Sequence, residues 1–337
     1  MKPDSPSTFK IASRRDFLKT TGRLSAVSAL AGVALPQVHT AGSDFIQLAL
    51  IGCGGRGTGA VANALAAKNG PTRLVAMADV FEDRLKNSYE ALRNAGAPSN
   101  AAVESRVDGF DAAQVDVPPE RRFLGFDAYQ KAMDCLKAGD VVILTTPVAF
   151  RWVHFAHAIR KGLNVFMEKP ISVDGPTTRR MLTLAEEATR KNLKVAVGLM
   201  CRHCEARREL DRRIRAGEIG EITTLRTYRQ VGPAGFTGPK PQNQRSELLY
   251  QVQRYLGFFW ASGGVFHDYI AHNVDECCWM KGAWPVRAQG QGGRLYRGDA
   301  ADQNFDNYSI EYTFPDGTRL FVHSRYMTGC REEFASY

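Results

Sequence analysis

No stretch of 18 consecutive apolar residues occurs in the 337-residue chain, which excludes a conventional membrane-spanning helix. No tract of lysine and arginine interleaved with aromatics occurs either, so the net charge of +9 does not argue for nucleic-acid binding. Part of that charge is local, because residues 1–41 hold six Lys or Arg against two Asp. The cysteines also lack a pattern. There are seven, an odd number, with no spacing that reads as a disulfide framework. Cys201-Arg202-His203-Cys204 has the spacing of half a zinc site, but no second pair follows, and Cys277 and Cys278 are adjacent. We therefore expect no metal and assign the cysteines to packing. What remains is a chain with 44% hydrophobic and 23% charged residues, as in a soluble globular protein, long enough for two domains.

The N-terminus carries an address. Ser13-Arg14-Arg15-Asp16-Phe17-Leu18-Lys19 precedes a modest apolar stretch at 24–36, and the pattern resembles a twin-arginine export signal. Segment 1–41 is expected to engage the export machinery, with cleavage near residue 41 or retention as a tether. The protein is then periplasmic, or tethered on the outer side of the membrane. That route carries folded proteins, often with a cofactor already inside.

The first chemical motif follows at once. An apolar strand at 46–51 runs into Gly52-Cys53-Gly54-Gly55-Arg56-Gly57, and a helical pattern covers 58–68. This is G-x-G-x-x-G in its strand–loop–helix context. Gly52 permits the tight turn, Gly54 lets backbone N–H groups approach a pyrophosphate, and Gly57 lets helix and strand pack closely. Gly55 and Arg56 belong to the same loop. The next strand, at 73–78, ends at Asp79, 22 residues after Gly57. A carboxylate there accepts hydrogen bonds from an adenosine ribose and repels a 2′-phosphate, which favours NAD over NADP. Arg56 and Arg84 are nearby cations that leave room for some NADP tolerance.

Residues 96–121 read as a long loop. A helix at about 127–137, a strand at 141–145, a helix at 151–161, a strand at 163–167, a helix at 176–191 and a strand at 194–199 follow. This alternation predicts a doubly wound parallel sheet, in which ligands sit beyond the carboxyl ends of the strands. Thr146-Pro147 and Glu168-Lys169-Pro170 both stand at such ends, and the Lys169–Pro170 peptide is expected to be cis. Further on, Asp268, His272 and Asp275 are spaced to share one helix face. An acid beside a histidine suits proton transfer, and a helix cap with a packed histidine would explain the spacing equally well.

Taken together, the IGCGGRG loop, Asp79, Thr145-Thr146-Pro147, Met167-Glu168-Lys169-Pro170 and Gly263-Gly264-x3-Asp268-x3-His272-x2-Asp275 resemble the Gfo/Idh/MocA oxidoreductases over residues 45–337. The resemblance implies a Rossmann-type NAD domain, residues 42–198, and an α+β domain with an open, mostly antiparallel sheet, residues 199–337, whose strands lie near 221–230, 286–296, 307–314 and 318–326. It places Lys169 beside a nicotinamide, and Asp268 and His272 around a substrate hydroxyl, with His272 as base. Thr146, Pro147 and Glu168 join the cofactor set. The expected reaction is hydride transfer at a secondary alcohol of a sugar or polyol. A glycoside hydrolase that oxidises transiently and recycles NAD is the alternative, and a non-catalytic nucleotide-binding protein is disfavoured by the presence of all three catalytic residues. Two departures stand out. Arg151 occupies the position where relatives often carry His, and could bring a positive charge instead; Arg202, after the strand at 194–199, could bind a hydroxyl or carboxylate or equally well form a salt bridge. The chain also stops soon after the strand at 318–326, which reads as a truncation. Segment 232–247 is expected to loop over the site. Tyr255 and Trp260 could stack on a sugar or belong to the core. A homodimer or homotetramer is expected.

Overall fold

The computed structural model describes residues 45–95, 108–240 and 246–337. The export pattern lies outside the described residues. Phe45–Tyr337 form one compact unit containing two sheets.

The first sheet has six parallel strands in the order β3-β2-β1-β4-β5-β6. They are β1 Ile46–Ile51, β2 Thr72–Asp79, β3 Arg122–Leu124, β4 Val141–Leu144, β5 Asn164–Met167 and β6 Val195–Val197. Alternation across each strand builds two cores. Leu48, Leu50, Leu74, Met77 and Ile143 meet α1 (Gly55–Leu65) and α2 (Glu82–Arg93). Ala49, Ile51, Val142, Leu144, Val165 and Met167 meet α3 (Ala128–Asp134), α4 (Arg151–Arg160) and α5 (Gly175–Arg190) on the other face. Burial on both faces explains why these strands read as continuous apolar runs. The order reverses between β1 and β4, which opens a crevice at their carboxyl ends.

The expected elements are present, with shifts. α1 begins at Gly55 rather than at residue 58, because the turn is complete at Gly54, whose backbone is extended. Strand β3 was not expected. It follows a segment with two short 3₁₀ turns, in which Val115 bridges Leu74 and both Val115 and Val117 are buried. Part of the expected loop, residues 96–107, lies outside the described residues.

The second sheet runs β11-β7-β10-β9-β8, with β7 Thr224–Val231, β8 Arg287–Gly293, β9 Asn307–Thr313, β10 Arg319–Tyr326 and β11 Glu333–Ser336. All neighbours are antiparallel except β7 and β10. Strand β11, only four residues long, was missed. Helix α6 (Glu205–Arg215) has no buried residue and ties Arg212, Arg213 and Arg215 to Glu209 and Asp211, as a solvated face should, while Arg207 pairs with Glu276. Helix α7 (Glu247–Gln253) precedes a short turn, and α8 (Ala271–Lys281) lies under Leu225, Leu320 and Val322 of the sheet.

A buried ionic cluster shapes the β8–β9 connection. Arg297 pairs with Asp302 at 2.8 Å and Asp306 at 2.9 Å, and all three side chains are almost wholly enclosed. Arg297 also donates to the carbonyl of Ala234. Asn304 bonds the Gly235 and Leu256 carbonyls and the Val265 N–H. Ala234 and Gly235 are thus held against this connection, and none of the described residues of the expected overlying loop, 232–240 and 246–247, lines either of the two cavities described below. Arg297→Ala would leave the enclosed Asp306 carboxylate without its cation and Asp302 with Arg294 alone, at 3.0 Å. We expect a loss of about 3–5 kcal/mol in unfolding free energy by urea titration, and a loss below about 1 kcal/mol would refute this account of the cluster.

Candidate active site

The glycine loop shows which of its glycines the protein itself demands. Gly52 has φ +99°, and a Cβ there would stand 2.8 Å from the Thr145 backbone. A Cβ on Gly57 would stand 2.1 Å from the Gly52 carbonyl oxygen. Gly54 is different: its φ is ordinary, and a Cβ would meet nothing within 4 Å. Neither packing nor backbone conformation requires glycine at 54, so the open space in front of it is available to a ligand. Gly54 is also the cap of α1, with no side-chain bond to the helix's first N–H groups. Those donors and the helix dipole favour an anion at this point. The loop fits a dinucleotide pyrophosphate.

Asp79 closes the other side. Its carboxylate accepts from the Cys53 N–H at 2.6 Å and the Phe81 N–H at 2.9 Å. Burial raises its pKa, and those N–H groups with Arg84 offset only part of the rise. Asp79 therefore fixes the loop as well as facing the cleft. A cavity of about 380 Å³ is lined by Gly52, Gly54, Gly55, Arg56, Gly57, Asp79, Thr146 and Pro147, all of them expected, and by Phe81, Phe150 and His154, which were not singled out. Thr146 shares a 3.2 Å hydrogen bond with His154.

A second cavity of about 230 Å³ shares Arg56, Thr145, Thr146 and Tyr255 with the first. Glu168, Lys169, Asp268 and His272 converge on it. The Lys169–Pro170 peptide is cis, as expected. Lys169 Nζ donates to the Asp268 backbone carbonyl at 2.7 Å and to its carboxylate at 3.2 Å. Glu168 pairs with Arg56 at 3.0 Å and packs where Gly198 leaves room for it.

The details depart from the simple helix-face picture. Residues Phe266–Ile270 form a π-helical turn before α8. Asp268 makes no cap and gives its carboxylate to Lys169 rather than to His272. Asp275 is taken by Arg202 through two hydrogen bonds of 2.7 and 2.8 Å. Arg202 is thus in a salt bridge and lines neither cavity. Arg151 borders the second cavity but is fully buried, donating to the carbonyls of Glu168 and Thr146. Burial lowers its pKa to about 10, so it stays charged near neutral pH, as a brace between the ends of β4 and β5. Burial, then Lys169 and Arg229, draw the His272 pKa to about 4. The expected near-neutral base is instead a neutral imidazole, and its Nδ1 is enclosed without a partner. Trp260 is partly exposed and edge-on to Phe150 at 6.2 Å, and Tyr255 borders both cavities. The seven cysteines are free thiols, and no cluster of metal-ligating side chains occurs among the described residues. Arg229 of β7 also lines the second cavity. Only its place in an unremarkable strand, T-L-R-T-Y-R-Q-V, marked it beforehand.

Residues 46–199 match the oxidoreductase family with an NAD-binding Rossmann fold, Gfo/Idh/MocA. That match covers a little under half of the chain. The chain is 27% identical over 209 residues to inositol 2-dehydrogenase of Corynebacterium glutamicum (strain R), covering 61% of this chain and 52% of that enzyme. It spans about half the length, or less, of the curated relatives it matches. Two solved structures share the fold. Myo-inositol 2-dehydrogenase from Lactobacillus plantarum aligns with a TM-score of 0.60 at 19% identity, over 87% of this chain and 76% of that one. Scyllo-inositol dehydrogenase from Lactobacillus casei, with bound NAD(H) and scyllo-inositol, aligns with a TM-score of 0.59 at 20% identity, over 87% and 73%.

Two predictions follow from this geometry. Gly57→Ala should cost about 3 kcal/mol or more, because backbone must move. Gly54→Ala should cost about 1 kcal/mol or less, yet weaken NAD at least about tenfold in a fluorescence titration. Equal effects of the two changes on stability would contradict this division of labour within the glycine loop. The second concerns acid. His272 is drawn to about 4, and His154 to about 3 by burial and Arg151. The unfolded chain takes up these protons near pH 6.5 and the folded one only well below. Stability is therefore fully present above about pH 6.5 and is lost as the pH falls toward 4. The thermal midpoint should drop steadily across that window, and a flat profile would mean that the imidazoles are not held neutral.

Proposed function

We propose that this protein is an NAD-dependent dehydrogenase that oxidises or reduces a secondary alcohol of a sugar, sugar derivative or polyol. The observation that carries the reading is the convergence of Lys169, Asp268 and His272 on a cavity continuous in its lining with the glycine-loop cleft. Bound NAD supplies the hydride acceptor. The protein's own residues do the rest. The Lys169 ammonium, oriented by Asp268, polarises the substrate oxygen and stabilises developing alkoxide charge. The neutral His272 imidazole borders the cavity and carries one acceptor nitrogen to take the hydroxyl proton. Asp79 disfavours a 2′-phosphate, which supports NAD over NADP. The inositol dehydrogenase relatives support a polyol-like substrate. The twin-arginine pattern supports export of the folded protein with its cofactor inside.

Purified protein should release NAD(H) at near one equivalent on mild denaturation, or bind added NAD tightly. Lys169→Ala should lower turnover on a sugar and polyol panel about 100-fold or more with an unchanged far-UV spectrum. Undiminished turnover would remove the lysine from the reaction.

A further inference from the structure

Among the described residues, one cation lining the second cavity has no anionic partner. Arg229 lines it together with Lys169, Asp268 and His272. Its guanidinium lies 3.9 Å from the Phe334 ring centre and 5.4 Å from that of Tyr269. It joins no ion pair among the described residues, and its Nε is enclosed without a hydrogen-bond partner. The other charges around the cavity are matched or braced. Arg56 pairs with Glu168, and Lys169 pairs with Asp268. Arg151 is held by two backbone carbonyls. Four cations thus line a cavity that supplies two carboxylates, and His272 is neutral near pH 7. An unpaired, partly desolvated charge is costly, and an incoming anion relieves that cost.

We propose that the substrate is a sugar or polyol bearing one anionic group, a carboxylate or a phosphate, and that Arg229 binds that group. The proposal rests on the dehydrogenase reading for the identity of the sugar moiety, but not for the anion site. Guanidinium presents planar paired donors that match either anion, and ring contacts with Phe334 and Tyr269 hold that plane in place. Arg229 also acts on the neighbouring imidazole, since its charge helps to lower the pKa of His272. An anion seated on Arg229 offsets that effect and leaves His272 a stronger base, so an acidic substrate improves its own proton acceptor.

The test uses the full chain loaded with NAD and three matched probes: D-glucose, D-glucuronate and D-glucose 6-phosphate. Binding is measured by calorimetry, and NADH formation is followed in parallel. We expect at least one acid to bind about tenfold or more tighter than D-glucose. The tighter acid identifies the carboxylate or the phosphate as the favoured group. Arg229→Gln should reduce that preference to within about twofold, and Arg229→Lys should retain part of it. Equal binding of the neutral sugar, a preference that survives in Arg229→Gln, or failure of both acids to bind would each overturn the proposal. Should a variant fail to fold, the wild-type preference alone still decides. NADH formed from neutral sugar with no acid preference would sink the anion site and leave the dehydrogenase standing. Arg229-dependent acid binding without NADH from any probe or polyol would do the reverse.

Discussion

The contact between Lys169 and Asp268 joins two parts of the chain that are 99 residues apart, and the site depends on it. One end is the carboxyl terminus of β5, and the other is the π-helical turn that introduces α8. The ammonium touches both the carbonyl and the carboxylate of the same residue, so it fixes backbone and side chain together. Both side chains are largely removed from solvent, where the attraction exceeds that of a surface pair but must also offset desolvation. Behind it, Arg151 secures the ends of β4 and β5 through their carbonyls. Beside it, Arg56 carries the glycine loop to Glu168. These contacts gather at one edge of the parallel sheet and define the wall common to both cavities.

Much of the first sheet was legible because its signals are local. Apolar runs, glycines and the acid after β2 each announce themselves within a few residues, and their order implies the topology. The second half was harder. The strands β7, β9 and β10 were found, but β11 is four residues with no clear alternation. The Asp268, His272 and Asp275 spacing correctly located a helix entering the site. Its pairings were not legible, because Lys169 and Arg202, which claim the two acids, come from distant segments. Arg151 illustrates the same limit: its charge could be read from the sequence, but its complete burial could not.

Arg229 is the converse case. Arginine in an exposed-looking strand is ordinary, and nothing nearby distinguishes it from Arg226 three positions earlier. Alternation along β7 and the docking of β11 against it decide that one arginine borders the cavity under Phe334 while the other does not. Such a role is a property of the assembled sheet.

The three loop glycines also differ in what would preserve them over time. Gly52 and Gly57 answer to the fold, through a left-handed turn and a near-contact of backbone with backbone. Gly54 answers only to whatever occupies the space before it. A lineage that abandoned the nucleotide while keeping the scaffold would be free to drift at 54 and would remain bound at 52 and 57. The state of this one position among descendants would therefore record whether the cleft was still in use.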